Sequence, residues 1–325
     1  MSNFFFAVNA LAPLLGLALL GYFLRRKAIV TEEFIGYLNR YIFVVALPVL
    51  IFQTMSSLED WSFVSWSVVW FAFVMLTIVA VLGYIFLRFI QQPNHIRAVL
   101  MQAFYRGNFI IVGIPLAIRL GGVEALSMMV ILNAILYPLT NFYSIITFQL
   151  WPNQLHKSKS MQKELITNTF KNPLIIAFIV GIVALTFQST WQAFTEVAVF
   201  IPDTLSLIAA TATPMAMLAI GGQFKLSQAK VLRLPIFIGV FGRLVIVPIF
   251  VFSVALAMSN WIDFSSHWAP MIAIFASPVA VASVAITKGL NGDDEFASQL
   301  VLWSTALAVV SLFVFVVIFR TYGLL

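Results

Sequence analysis

The chain has 325 residues, of which 62% are hydrophobic and only 9% are charged. Soluble domains carry about 25% charged residues, so this composition excludes an ordinary soluble protein and indicates an integral membrane protein. Long apolar runs favour spanning helices over a β-barrel, whose strands are short and alternate polar with apolar residues. The absence of cysteine excludes disulfides and iron–sulfur clusters, and we expect no cofactor.

Ten segments are long and apolar enough to predict membrane-spanning helices. In the first segment, residues 4–24, the positive charges follow the apolar run, whereas in a cleaved signal peptide they precede it. This order predicts a retained helix with its N-terminus outside. In chain order the predicted spans are residues 4–24, 34–54, 62–90, 98–120, 125–150, 173–187, 194–224, 234–259, 270–288 and 296–320.

The basic residues support this topology. With the N-terminus outside, the loops after odd-numbered spans are cytoplasmic, and they hold most of the 18 lysines and arginines, including Arg25, Arg26 and Lys27. The outer side receives only Arg119 and Arg320. This imbalance follows the positive-inside rule and predicts a multi-pass protein of the inner (plasma) membrane with both termini periplasmic. The net charge of +6 therefore does not indicate a nucleic-acid partner.

The fourth span carries the most unusual residues, Arg106-Gly107-Asn108 followed by Gly113-Ile114-Pro115. Arginine and asparagine are costly at membrane depth, and glycine and proline interrupt helical hydrogen bonding. The freed backbone groups survive only in a protein interior or beside a wet cavity, a device that transporters use to hold a substrate. The alternative is a tolerated kink, with the arginine extending to the membrane interface.

Three pairs of residues recur with nearly equal separation: Gly16 with Gly181, Pro48 with Pro214, and Pro115 with Pro278. They align the first five spans with the last five, and an odd number of spans gives the two halves opposite orientations. We therefore predict a first repeat over residues 1–150, a cytoplasmic linker over 151–172 and a second repeat over 173–325.

No catalytic motif is present, and His95, His156 and His267 do not have metal-ligand spacing, so neither an enzyme nor a metal site is expected. Acidic residues fall in loops or at span ends, apart from Asp203 near the outer end of the seventh span. The charges within the spans are instead Arg106 and Arg243, whose guanidinium groups suit a carboxylate ligand. The alternative for each arginine is that it braces backbone carbonyls freed by a broken helix.

Other polar residues in the spans have two interpretations as well. Asn108 would bind either a ligand or freed backbone. Asn133 and Tyr137 share one helix face, where they would line the same cavity or hold helices together. The predicted substrate-binding residues are Arg106, Asn108, Pro115, Asn133, Tyr137, Arg243, Ser277 and Pro278.

Several motifs in this order resemble one known family. They are Gly107-Asn108 with Gly113-Ile114-Pro115, Pro214 with Met215 to Gly221, Ser277-Pro278-Val279-Ala280, and the tail from Ala297-Ser298 to Ser304-Thr305. Nearly the whole chain resembles the auxin efflux carrier family, in its bacterial malate or malonate permease-like branch, which is related to the plant PIN auxin exporters. One departure is Phe109-Ile110-Ile111, where the family often has a further small residue.

The resemblance implies an all-α membrane fold like those of the NhaA and bile acid transporters. It implies ten helices in two inverted five-helix repeats, with broken helices four and nine crossing at Pro115 and Pro278. Spans one, two, six and seven would form a scaffold, and spans three to five and eight to ten a mobile transport domain. Asn108 would contact the ligand carboxylate, with Asn133 and Tyr137 nearby.

The predicted function is secondary transport of small organic anions, such as the dicarboxylates malate and malonate, by an elevator-type movement. Two alternatives stay open, namely a cation/proton exchanger of the same architecture and a non-transporting membrane sensor or scaffold. The expected partners are the organic anion and the lipid bilayer, and the sequence also leaves open a homodimer.

Overall fold

The computed structural model describes residues 2–58, 64–151, 167, 171–223 and 233–325. Most of the predicted linker, His156, the start of the third predicted span at Ser62 and the end of the seventh at Phe224 lie outside these ranges. The α-helices of the described parts are α1 (Ser2–Arg26), α2 (Glu32–Tyr41), α3 (Leu47–Ser56), α4 (Trp66–Phe89), α5 (Asn94–Tyr105), α6 (Ile114–Leu150), α7 (Pro173–Thr186), α8 (Gln188–Val197), α9 (Phe200–Gln223), α10 (Arg233–Phe241), α11 (Val247–Ala257), α12 (Trp268–Phe275), α13 (Ala282–Gly289) and α14 (Asp294–Thr321).

Three short π-helices share one local cause. They span Ile42–Ala46, Phe109–Gly113 and Gly242–Ile246, and each leads into an α-helix whose second residue is proline: Pro48, Pro115 and Pro248. Proline has no N–H to donate, and its ring clashes with the carbonyl four residues earlier. A widened turn accommodates the ring without ending the helix, so these prolines lie within continuous spans.

Seven helical segments are long and apolar enough to cross a membrane, and α7 with α8 forms an eighth candidate. The protein is therefore an all-helical, multi-pass membrane protein over the described ranges, with one isolated antiparallel backbone bridge. Helix α6 continues across the predicted boundary between the fourth and fifth spans. It is interrupted there at Gly122, whose φ of 65° and ψ of −147° suit glycine and few other residues.

One element was not predicted. The sequence places the start of the seventh span at Phe194, but the structure contains a separate helix, α8, bent by 93° from α7, and α9 begins only at Phe200. Helix α8 buries none of its residues, and its Trp191 and Phe194 alternate with polar residues at helical spacing. Because the apolar residues of this short amphipathic helix come just before α9, the predicted start of the seventh span lies about one and a half turns too early.

Two groups of helices pack closely. In the first group, α1 packs against α9, where side chains at Gly21 and Gly221 would collide with the backbone at Leu218 and Ala18, and α3 packs against α7. Small residues allow this close approach in membrane proteins. In the second group, α5 packs against α4, α6 and α10, α12 packs against α6, and α13 packs against α14. The second group contains the two segments in which helical structure breaks.

Candidate functional site

Two broken helical segments meet near the centre of the second group. Helix α5 ends at Tyr105 and helical structure resumes at Phe109, whereas α12 ends at Phe275 and α13 begins at Ala282. The backbone N–H of Asn108 donates to the carbonyl of Pro278 at 2.7 Å, and that of Ala280 donates to the carbonyl of Arg106 at 3.0 Å. Each broken segment therefore forms hydrogen bonds with freed backbone groups of the other. Such bonds are necessary because hydrocarbon offers no hydrogen-bonding partners.

The crossing pairs Gly107 with Val279, which corrects the expected crossing at Pro115. Pro115 is the second residue of α6, where the preceding π-helix accommodates it without a break. The adjacent Gly113 instead serves packing, because a Cβ there would lie 3.0 Å from the carbonyl oxygen of Ala273. The helix opens where Arg106 to Asn108 find partners on the other segment.

Gly107 has no room for a side chain. A Cβ at this position would collide with the guanidinium group of Arg243 and would lie 2.6 Å from the Ser277 hydroxyl and 2.5 Å from the Phe109 ring. Contacts this short force neighbouring groups to move. The glycine is therefore required for the two segments to cross at this distance.

Arg243 is fully buried and connects the two broken segments. Its Nε donates to the Ser277 carbonyl at 2.8 Å, and its Nη1 donates to the Phe104 carbonyl at 3.0 Å. Its Nη2 donates to the Ile274 carbonyl at 2.7 Å and to the Ser277 hydroxyl at 3.1 Å. Most of the five guanidinium donors are thus occupied by carbonyls that the helix breaks released.

Arg106 has a different environment. Its Nη2 donates to Asn141 Oδ1 at 2.7 Å and its Nη1 to the Ser144 hydroxyl at 3.3 Å, while its guanidinium lies 5.8 Å from the centre of the Tyr137 ring. Its Nε is buried without a hydrogen-bond partner. In the described ranges, no carboxylate lies at ion-pair distance from either buried arginine. Arg106 is therefore a buried cation with an unused donor and no counterion.

Asn108 also has an unused donor. Its Oδ1 accepts a hydrogen bond from the Ile111 N–H at 3.3 Å, which caps the following helical turn, but its buried Nδ2 has no partner. Asn108, Arg106, Tyr137 and Thr140 line a common cavity of about 30 Å³, which has room for at least one water molecule. The crossing thus presents unused donors beside a small space.

A family model described as membrane transport protein matches residues 6–316 of the chain. The chain belongs to this family, the auxin efflux carriers. No curated protein sequence matches it. Membership makes the protein a membrane transporter, and its family is a transport family rather than an enzyme family.

In this auxin efflux carrier family member, Asn133 and Tyr137 lie beside the crossing. The Nδ2 of Asn133 donates to the Met129 carbonyl at 2.9 Å, and its buried Oδ1 has no partner. Both residues line a second cavity, of about 20 Å³, that is bounded by α3 and α7. Tyr137 also lines the cavity at Arg106, to which Phe43, between α2 and α3, contributes as well.

Several polar residues near the crossing were missed by the sequence analysis. Asn141 and Ser144 bind Arg106, and Ser144 and Thr147 bind the hydroxyl of Tyr105. Asn141, Ser144 and Thr147 are three residues apart within an apolar segment, which places them on one helix face. This spacing in the sequence could have predicted a polar face there. Ser304 of α14 accepts from the Val279 N–H at 3.1 Å and so satisfies a further freed backbone group.

A cleft of about 540 Å³ opens between the two groups of helices at the end that carries Arg25. One wall includes Arg25, Glu32, Asn39 and Gln223, from α1, α2 and α9. The opposite wall comes from α14 and from the start of α13 beside the crossing: Val281, Val284, Glu295, Ser298, Gln299 and Thr305.

At the opposite end, α1 and α14 are in contact. The rings of Phe4 and Phe313 lie 5.3 Å apart, Arg320 lies 4.4 Å from the centre of the Phe6 ring, and Asn3 Nδ2 donates to the Thr321 hydroxyl at 3.3 Å. The two groups of helices are therefore separated at one end and joined at the other.

Proposed function

We propose that this protein is a secondary transporter of small organic anions, with dicarboxylates such as malate and malonate as substrates. The observation that carries the proposal is the location of the unused hydrogen-bonding groups. In the described ranges, buried side-chain nitrogen or oxygen atoms without a partner belong to six residues on the two broken segments and the adjoining α6: Gln102, Arg106, Asn108, Asn133, Ser283 and Thr287. Protein interiors leave few such groups unpaired, so their concentration here indicates a ligand site.

The charge at the crossing favours an anion. A buried charge is stable when it is paired, and neither Arg106 nor Arg243 has a carboxylate at ion-pair distance in the described ranges. A cation or proton exchanger would need an acidic residue at this depth. Asp203 lies in the first turn of α9, far along the chain from both breaks. We therefore favour organic-anion transport over the exchanger.

The roles of the two arginines follow from their hydrogen bonds. Arg106 Nε and Asn108 Nδ2 would donate to the substrate carboxylate, because both are buried donors beside the same cavity. Arg243, whose donors are largely occupied, would hold the two broken segments together. The crossing would then move as one unit together with its ligand.

Alternating access would follow from the two groups of helices. In our proposal, the scaffold comprises α1, α2, α3, α7 and α9, and the transport domain comprises the remaining long helices, including both broken segments. The cleft between them is large enough for a small organic anion, and it opens on the side that the basic residues assign to the cytoplasm. An elevator-type movement of the transport domain would close this cleft and separate α1 from α14 at the periplasmic end.

Counterflow in proteoliposomes tests the proposal. Labelled malonate and malate should enter vesicles preloaded with the same anion, without an imposed sodium or proton gradient. Arg106→Gln combined with Asn108→Ala should lower the initial rate at least about tenfold, because each removes a donor to a charged group. The control is Arg119→Gln, since Arg119 is an exposed arginine away from the crossing.

Other outcomes distinguish the alternatives. Movement that requires a cation gradient and ignores organic anions would favour the exchanger. Binding of an anion without counterflow would favour a sensor or scaffold. Unchanged transport in the double variant would refute the assignment of Arg106 and Asn108.

A further inference from the structure

The buried face of α13 is polar. Only Ser283 and Thr287 are buried in this helix, and because they are four residues apart they lie on one face. Neither hydroxyl has a hydrogen-bond partner in the described parts of the chain. Serine and threonine hydroxyls in membrane helices usually bond to the backbone of their own helix or to a neighbouring helix. Two buried hydroxyls on one face thus lack a partner among the described residues and are available to a ligand.

A third unpaired side chain lies on the helix next to this face. Gln102 is fully buried in α5, which packs against α13, and neither its Oε1 nor its Nε2 has a partner in the part of the chain that the structure describes. The hydrogen bond from Ala280 to Arg106 fixes the register of the two segments. Gln102 precedes Arg106 by about one helical turn, and Ser283 follows Ala280 by about one turn. We refer to Gln102, Ser283 and Thr287 as the neutral polar cluster.

The chemistry of this cluster selects its ligand. An amide and two hydroxyls donate hydrogen bonds without adding charge. Arg106 directly follows α5, and its N–H donates to the Gln102 carbonyl at 2.8 Å, so its positive charge lies about one helical turn from Gln102 and disfavours a cation at the cluster. A carboxylate oxygen accepts from all three side chains and is attracted by the guanidinium. A second carboxylate, a few ångströms from one bound at Arg106, has the geometry of a short dicarboxylate.

We propose that the neutral polar cluster binds the second carboxylate of a dicarboxylate whose first carboxylate is held by Arg106 and Asn108. This inference rests on the proposed function and assigns residues to the second carboxylate of its dicarboxylate substrates. The cluster then determines specificity: a monocarboxylate of equal length leaves the amide N–H and the two hydroxyl donors unpaired, whereas a dicarboxylate accepts from these donors. A site that loses hydrogen bonds to its ligand discriminates strongly against the incomplete ligand.

Competition against labelled malonate, in the full-length protein in detergent, provides the test. The competitors are malonate and succinate on one side, and acetate and propionate on the other. The variant Gln102→Met, Ser283→Ala, Thr287→Val replaces the cluster with apolar groups of similar size. We expect dicarboxylate affinity to fall about tenfold or more, since several hydrogen bonds to a charged group are lost, with monocarboxylate affinity unchanged. The variant should remain folded, because it removes only side-chain groups that have no partner among the described residues.

The control variant is Thr186→Val with Ser311→Ala, since these hydroxyls donate to carbonyls of their own helices, Ile182 and Ala308, and line neither the cluster nor the cleft. Equal losses for both competitor classes, or no loss for either, would overturn the inference, and no loss would indicate that the cluster holds only water. A wild-type protein with no preference for dicarboxylates would also overturn it. Failure of the proposed function appears differently, as unchanged anion binding in the Arg106 and Asn108 variants.

Discussion

Substitution by glutamine should have different effects at the two buried arginines: it should lower stability at Arg243 and abolish anion binding at Arg106. Arg243→Gln removes hydrogen bonds to the carbonyls of Phe104, Ile274 and Ser277, which belong to both broken segments. The Ile274 carbonyl still accepts from the Ser277 hydroxyl at 3.1 Å, so the carbonyls of Phe104 and Ser277 are the ones deprived of a donor. Each buried carbonyl left without a partner costs about 1–3 kcal/mol, so we expect a loss of at least about 2 kcal/mol of stability. At about 2–4 °C per kcal/mol, the melting temperature should fall by roughly 4 °C or more.

Arg106→Gln should change stability little. Arg106 binds the side chains of Asn141 and Ser144, which are able to reorient, and its substitution also removes a buried charge without a counterion. Breaking a buried ion pair is costly because it leaves one charge unpaired, but Arg106 has no such partner to leave behind. We expect a free energy of unfolding within about 1 kcal/mol of the wild-type value, which corresponds to a change in melting temperature of at most roughly 4 °C. Anion binding should be lost.

Thermal unfolding of both purified variants, with and without malonate, measures these effects. Wild-type protein at 100 times its dissociation constant should gain about 2.7 kcal/mol, and Arg106→Gln should gain nothing. Arg243→Lys keeps the charge but carries its three donors on one nitrogen, which cannot reach all the carbonyls that the planar guanidinium binds, so it should recover only part of the lost stability. The reasoning is refuted if Arg106→Gln melts as low as Arg243→Gln while still responding to malonate.

Three further outcomes are expected. Gly107→Ala should destabilise the protein by about 1–3 kcal/mol and abolish transport, because its methyl group collides with neighbouring groups at the crossing, as measured by melting temperature and counterflow. Ser298→Cys should react with a membrane-impermeant thiol reagent from the cytoplasmic side, because Ser298 lines the open cleft of a cysteine-free protein. Asn3→Cys with Thr321→Cys should form a disulfide that stops counterflow until it is reduced, because it fixes α1 to α14.

Each of these predictions has a matched control. Gly16→Ala adds the same methyl group where no atom lies within 4 Å, so its stability should be unchanged. Ser304→Cys is buried and should not react, and labelling of both serine positions would contradict the described cleft. The single variants Asn3→Cys and Thr321→Cys should transport under oxidising conditions, and a crosslinked protein that still transports would argue against separation of the two helices.

The sequence alone determined the class of protein and the positions of most helices, because spanning helices depend on local composition and length. It also located both breaks, at Arg106 to Asn108 and at Ser277-Pro278, since glycine, proline and polar residues stand out in apolar segments. It misjudged Pro115, because a proline within a span is able to occupy either a break or a widened turn. It missed α8, whose apolar residues extend the pattern of the neighbouring span.

Only the tertiary structure decided which groups meet. Arg243 and Arg106 look alike in sequence, yet one donates to carbonyls released by distant helix breaks while the other keeps an unused donor beside Asn108. The pairing of Gly107 with Val279 joins segments far apart in the chain. The residue type determines how costly each polar group is in a membrane, but the identity of its partner depends on the packing of remote helices. Only that packing distinguishes a structural arginine from a candidate ligand-binding one.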